Sequence, residues 1–429
     1  MSEYAQEGSF GFDSKGVEVL DRRIRLKRHR GYFAAKLYDF AKRHRHRPSY
    51  YFCQPPMKRI IVSVTNDLSF DQRVAKTCAS LHDAGFEVSL IGRRKGNVLP
   101  IKRPYRVRRI AMLFEQGFLF YASFNARLFF ILLFSKADAF WANDLDTLPA
   151  NAFAATLRRK ILIFDSHEFF TEVPEVQSRK WVKAIWSFLE KVSIGAAKLV
   201  TTVNQSIADA LQAKYSLGHV QVLRNVADTS IAFTPKHRSE WGWSAADFLV
   251  VLQGRGINID RGAEELVEAI ALLDGVSLMI VGGGDVWNNL QSLVANKALT
   301  GRVCFIPAVA YAEMLAIIAA ADVGMSLDKA SNKNYEWSLP NKIFDYSLVG
   351  LPIIASRLPE VSAIVEGYAV GITVESVTPH TIAAAIELMR DNPTDLATFA
   401  ANTVWLNADL DWQKEFQPIV KKLHEFFQA

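Results

Sequence analysis

From residue 57 onward, short apolar runs alternate with amphipathic stretches, each bounded by polar turns. Residues 59–64 (RIIVSV) read as a strand running into the polar turn TNDLSFDQR. Helical spacing then holds from Asp71 to His82 and stops at Ala84 and Gly85, and 86–91 (FEVSLI) is the next strand. This strand–loop–helix–strand order predicts a parallel sheet with its ligand side at the strand C-terminal ends. Residues 137–141 and 161–164 lead in the same way into NDLDTLPA and DSHEFFTE, and further strands are expected at 199–203 and 220–223. The polar stretch 228–246 reads as a linker. A second series follows: 248–253 before GRGINIDRG, 277–281 before GGGD, 303–306, and 321–325. Residues 334–338 form a polar loop, 340–348 a Pro-initiated helix and 352–355 a strand. Helices are expected at 379–389 and at the C-terminus, ending at Phe427.

Two periodic series in 429 residues predict an α/β chain of two or more domains. The divisions are a basic extension at 1–56, a first domain at 57–235, a second at 236–408 and a terminal helix at 409–429. Residues 22–47 carry eleven Lys or Arg against the single acid Asp39, with aromatic and aliphatic residues between. That pattern suits a helix on an anionic membrane surface ahead of a solvated tail, and no nucleic-acid motif accompanies it. Cys53, Cys78 and Cys304 show no metal or disulfide spacing and read as thiols in a reducing compartment. The aromatic run 114–134 is broken by Glu115, Gln116, Asn125 and Arg127, too polar to cross a bilayer. It reads as helix packed in the core, with a lipid-contact rim at 118–121.

Candidate chemistry gathers where predicted strands end. Asn66, Asp67, Asp71 and Arg73 follow the first strand, and Asp71 also suits a helix N-cap. Asp144 and Asp146 follow the fourth; Asp144 serves equally as a cap or as part of a ligand site. His167, beside Asp165 and Glu168, reads as a cleft residue or a structural loop histidine. Gly254, Arg255 and Arg261 form a loop where backbone can approach a ligand and Arg can clamp a diphosphate, or simply a flexible turn. Lys342 adds a cation at a helix start and Asp345 an acceptor one turn on, or both are solvated charges. No GxGxxG follows the first strand.

The run SLPNKIFDYSLVGLPIIAS resembles the donor-binding segment of retaining glycosyltransferases of the GT4 family, which have the GT-B fold. The stretches VSVTNDLSFDQRVAKTCASLHDAGFEVSLIGRR, DSHEFFTE and QGRGINIDRGAEELVEAI are similar to that family's acceptor-side opening, cleft histidine loop and pyrophosphate loop. The resemblance implies two Rossmann-like domains facing across a cleft, with the last helix crossing back to the first. It implies a donor that is a UDP- or GDP-linked sugar, no metal or cofactor, and a glycan or lipid-linked acceptor in surface polysaccharide synthesis. It assigns His167, Arg261, Lys342 and Asp345 to catalysis. Gly254, Arg255, Gly283, Val309, Glu336, Leu339 and Asn341 join them around the donor, and Asn66, Asp67, Asp71, Arg73 and Asp144 face the acceptor. The family's earlier Glu would fall at Trp337, so Glu336 is one residue out of place. A GT-B epimerase or hydrolase, or a silent scaffold at the membrane, is the alternative. The expected location is cytoplasmic, peripheral at the inner membrane face.

Overall fold

The computed structural model describes residues 57–69, 71–94, 101–244 and 246–428; the basic run 22–47 and Cys53 lie outside the described residues. Thirteen strands are described, numbered here in chain order. The first seven form one sheet: β1 (Arg59–Asp67), β2 (Glu87–Arg94), β3 (Arg106–Ala111), β4 (Ala139–Asn143), β5 (Ile161–Ser166), β6 (Leu199–Thr202) and β7 (Val220–Val222). Their order is β3-β2-β1-β4-β5-β6-β7, every pairing parallel. The other six are β8 (Phe248–Gly254), β9 (Val276–Gly282), β10 (Val303–Pro307), β11 (Val323–Ser326), β12 (Ile353–Ser356) and β13 (Gly371–Val374). They lie in the order β10-β9-β8-β11-β12-β13, again all parallel.

Parallel strands covered on both faces read as continuous apolar runs, and β4 is buried at all five positions. The edge strand β3 was not evident from the sequence, because three arginines occupy its six positions. Charge on an exposed edge protects it from pairing with another chain. In each sheet the strand order reverses once, between β1 and β4 and between β8 and β11. Loops leaving the C-terminal ends of strands at such a reversal diverge to opposite faces and open a crevice.

Residues 117–133 form one helix (Gly117–Leu133), whose Phe120, Phe124, Leu128 and Leu132 recur every fourth position into the core. Phe118 and Leu119 stay exposed, while Phe120, inside the expected rim, is buried. Among the described residues no helix is long and apolar enough to cross a membrane. Two long helices follow Pro379–Asp391: Pro393–Asp409, absent from the sequence reading, and Trp412–Gln428.

The last helix leaves the second sheet and packs beneath the first. Trp412, 1% exposed, donates from its indole Nε1 to Ser80 Oγ at 2.9 Å, and its ring stacks on Phe416, 5.5 Å between centroids. Phe416 stacks in turn on Trp141 of β4 at 6.1 Å. Arg224 and Glu415 close the junction at 2.8 Å. Truncating a buried tryptophan removes contact area and leaves a cavity. Trp412→Ala is therefore expected to destabilise the chain by about 3–5 kcal/mol in urea unfolding. A loss within about 0.5 kcal/mol, the range of an ordinary surface substitution, would show that the terminal helix does not staple the two sheets together.

Candidate active site

Polar groups gather at the reversal of each sheet. On the first, Asp144 follows β4 with a left-handed backbone (φ 59), rare for a residue bearing a side chain. Its amide donates to the carbonyl of Asp165 at 2.9 Å, which holds the turn. The carboxylate then accepts from the His167 amide at 2.8 Å and faces the ring Nδ1 at 3.1 Å. Of the two roles open to Asp144, the structure shows the contact with His167; the N-cap position of the next helix is Thr147, not Asp144.

His167 Nε2 faces Asp165 Oδ2, also at 3.1 Å, so both ring nitrogens are engaged by carboxylates. Burial opposes the imidazolium, but Asp144 and Asp165 outweigh it and raise the pKa to about 10. Asp165 is fully buried. Arg73 grips it with two bonds, Nε at 3.1 Å and Nη2 at 2.7 Å, and Thr201 Oγ1 donates at 2.8 Å. Burial disfavours the charged carboxylate, yet Arg73 and His167 hold it well below the usual range.

The acceptor-side residues thus separate. Arg73 lies beneath the loop, 4% exposed, in the pair with Asp165 and does not face the cleft. Asp71 caps the helix Gln72–Asp83 by accepting from Val74, and Asn66 donates to Asp71 at 2.9 Å. Asp67 receives the Ser69 amide at 3.0 Å. Asp146, the other acid of the Asp-Leu-Asp run, takes the Thr65 hydroxyl; burial, with Asp144 nearby, raises it to about 7. The two acids of that run serve different partners.

On the second sheet, Arg261 follows β8 and Asp328 follows β11. Arg261 Nη1 lies 2.7 Å from Asp328 Oδ2, and Lys342 Nζ 3.5 Å from Oδ1. Asp328 is fully buried, so the two predicted cations share one carboxylate that the sequence reading missed. Two residues after a buried strand, an isolated Asp gave no motif to find. Arg261 also sits 4.1 Å over the Tyr335 ring. Burial and the neighbouring Arg261 lower the pKa of Lys342 despite Asp328.

The glycines here serve close packing. A Cβ on Gly282 (φ 130) would fall 1.8 Å from the Gly254 carbonyl, and one on Gly284 2.1 Å from that of Ile257. The loop carrying Gly254 and Arg255 and the loop carrying Gly283 accordingly lie backbone to backbone, Ile257 N to Gly283 O at 2.9 Å. Val309 packs at the margin of the core.

The helix after the polar loop starts at Lys342, two residues later than expected, with Asn341 exposed at its cap and Leu339 buried. Asp345 points inward. Tyr311 donates to one of its oxygens at 2.6 Å and Gln253 to the other at 2.8 Å, and burial raises its pKa to about 6. Glu336 is drawn aside by Lys333 at 2.8 Å.

Trp337 instead reaches the other half of the cleft. It stacks on Phe169 at 5.6 Å, and its carbonyl accepts from Asn204 at 2.6 Å. Asn334 accepts from the Phe169 amide at 2.9 Å. The loops after β5 and β11 therefore meet, placing the His167 cluster and the Arg261–Asp328–Lys342 cluster on facing walls.

Residues 72–231 match the family model described as Glycosyltransferase Family 4, and residues 247–392 match that of glycosyl transferases group 1. Together these matches span well over half of the chain. The chain belongs to the GT4 family. Among curated proteins, this GT4 chain is 27% identical over 175 residues to the GDP-mannose-dependent α-(1-6)-phosphatidylinositol monomannoside mannosyltransferase of Mycobacterium tuberculosis. That match covers 39% of this chain and 44% of the relative, less than half of its length.

Sucrose-phosphate synthase from Thermosynechococcus elongatus has a TM-score of 0.71 at 18% identity, covering 87% of this chain and 100% of that one. HepE of Anabaena, solved in complex with UDP-glucose, has a TM-score of 0.65 at 17% identity, covering 86% and 99%. These likenesses establish the GT-B fold: two parallel sheets facing across a cleft, with the terminal helix returned to the first.

The elevated pKa of His167 carries a pH signature. A group whose folded pKa lies above its unfolded value contributes fully below the unfolded pKa, here about 6.5, and loses that contribution as pH rises through about 10. His167→Gln should therefore cost about 3–5 kcal/mol near pH 6, as expected for removing one partner of a buried ion pair. The difference from wild type should shrink steadily toward pH 10. Urea titrations at several pH values would measure it, and a difference independent of pH would mean that His167 is not held as a cation.

Proposed function

We propose that this GT4 chain is a retaining glycosyltransferase that moves a sugar from a UDP- or GDP-linked donor to a glycan or lipid-linked acceptor without a metal ion. The observation that carries the reading is the convergence of Arg261 and Lys342 on Asp328 at the reversal of the second sheet. When the bond from the anomeric carbon to the diphosphate oxygen breaks, negative charge grows on the leaving group. Preorganised cations aimed at that charge are a large catalytic term. Asp328 fixes both cations before any donor arrives, and Tyr335 beneath Arg261 limits the travel of its guanidinium. Across the cleft, His167 stands at the end of β5 as a fixed cation. With both ring nitrogens engaged, it orients neighbouring groups and does not accept a proton.

The family context supports the donor class. HepE was solved with UDP-glucose, and the mycobacterial relative is named for GDP-mannose, so both bases enter the test. Asp345, assigned to the donor ribose by resemblance, here bonds Tyr311 and Gln253. Gripping a ribose would require it to exchange one of these partners.

Thermal-shift titration with UDP- and GDP-linked sugars, with and without EDTA, tests donor binding. A ligand specific for the folded state stabilises it by about 2.7 kcal/mol at a hundredfold excess over its dissociation constant. A shift with one donor that survives EDTA is expected; no shift with any donor would overturn the reading. Arg261→Gln should cost stability, because it strips a partner from buried Asp328, and should lower turnover by about 10²–10³-fold. Adding Asp328→Asn should restore part of the stability, since Lys342 then loses its carboxylate, but none of the turnover. Recovery of both would mean that Arg261 serves only the fold. NMR of the product's anomeric proton checks retention.

A further inference from the structure

We infer that the outer face of the first sheet's helical layer docks on an anionic lipid bilayer. Helices Gly117–Leu133, Leu148–Arg158 and Lys180–Ile194 pack side by side on one face of the sheet, their buried residues joining a single core with β4 and β5. Tyr121 and Trp186 bridge the first and third edge to face at 5.3 Å. Lying on the same sheet face, the three helices turn their outer surfaces the same way.

Those surfaces are apolar where a water-facing helix should be polar. Lys180–Ile194 buries Trp186, Glu190, Ser193 and Ile194 but also shows solvent a second stripe at helical spacing: Trp181, Ile185, Phe188 and Val192. Trp181 is 85% exposed. Leu148–Arg158 exposes Phe153 and Leu157, one turn apart, and the first helix exposes Phe118 and Phe130, with Phe134 just beyond its end. Exposed large apolar side chains on three neighbouring helices mark an interaction site.

Charge selects the occupant. The only acid within the three helices is Glu190, which is buried and bonded to Lys214 and Tyr215. The exposed charges, Arg127, Lys180 and Lys191, are all positive. Beside the first helix, Arg108 and Arg109 of β3 and Arg127 line a shallow groove floored by Phe130 and Ile131. Aromatic and aliphatic stripes on helices whose own exposed charges are all basic, with Glu115 the exposed acid just before the first helix and Glu172 paired to Lys183 of the third, match the acyl boundary and anionic headgroups of a bilayer. This surface is made of residues other than 22–47, and the inference does not depend on the donor assigned above.

The test is flotation of the full-length protein with phosphatidylcholine vesicles, with or without about 30 mol% phosphatidylglycerol to supply negative surface potential. Wild type should float with the anionic vesicles and be partly released by about 1 M salt, which shortens the screening length. A Trp181→Ser, Phe188→Ser variant should partition at least about tenfold less, through loss of buried apolar area. Lys180→Glu with Lys191→Glu should abolish the preference for phosphatidylglycerol. Donor-induced thermal shifts should be unchanged in both, which separates this result from failure of the proposed function. Should either variant fold poorly, quenching by brominated phosphatidylcholine, compared between wild type and Trp181→Phe, reads the same contact. Variants that float like wild type would overturn the inference. So would a lipid-indifferent wild type that is a dimer in solution and becomes monomeric on Trp181→Ser, Phe188→Ser, since the face would then join two copies.

Discussion

Two carboxylates almost fully withdrawn from water, Asp165 and Asp328, set the terms for both walls of the cleft. A buried ionised carboxylate is tolerated only when paired and hydrogen-bonded, because its desolvation otherwise costs several kcal/mol. Each of these two is met by two cationic groups from separate segments: Arg73 and His167 for Asp165, Arg261 and Lys342 for Asp328. The consequence is positional. Four side chains that could sample many rotamers on a surface are tied to fixed points at the strand reversals, and the strand ends themselves are fixed by the parallel ladders. Rigid elements supporting charged groups through a second layer of contacts are what electrostatic preorganisation requires.

The same constraint divides the labour among the cations. Arg73 spends both of its bidentate bonds inside the protein and has no role at the surface. Arg261 gives one amino group to Asp328, and Lys342 stands a longer 3.5 Å away. A pairing that loose holds the ammonium in place while leaving it able to answer a second anion. Trp337 contributes by a different route. At the position where the resemblance led one to expect an acid, its aromatic ring bridges to Phe169 and makes contact between the two halves.

Much of this was legible before the structure. Apolar runs ending in polar turns located eleven of the thirteen strands, because a fully buried parallel strand leaves a nearly uninterrupted apolar signature. Edge strand β3 hid behind its arginines, and β13, four residues long, was not located. The strand-end rule drew attention to His167 and Asp144, the Gly-Arg loop after a strand to Arg261, and a helix start to Lys342, without any contact being known. What sequence could not give was partnership. Nothing in the spacing of Arg73 and Asp165, ninety-two positions apart, says that they pair. Nothing in an isolated Asp328 says that two distant cations converge on it. Asp345 shows the reverse limit: position along the helix was right, but which way its carboxylate faces was decided by Tyr311 and Gln253 from other elements.

The terminal helix links these local devices into one body. Trp412 and Phe416 continue a stack that begins at Trp141 of β4, two residues before the end of the strand that delivers Asp144. The segment leaving the second sheet therefore ends in contact with the strand that shapes the first wall. Relative motion of the halves has to be absorbed in the few residues between Asp409 and Trp412 and in the polar passage between β7 and β8. The contacts across the cleft are of another kind: one aromatic stack and a few hydrogen bonds to backbone groups. Small interfaces of that composition open and close far more readily than a buried aromatic core. The architecture thus pairs a firm joint at the terminal helix with a light clasp at the cleft mouth, the arrangement a two-walled site needs to admit one substrate before another.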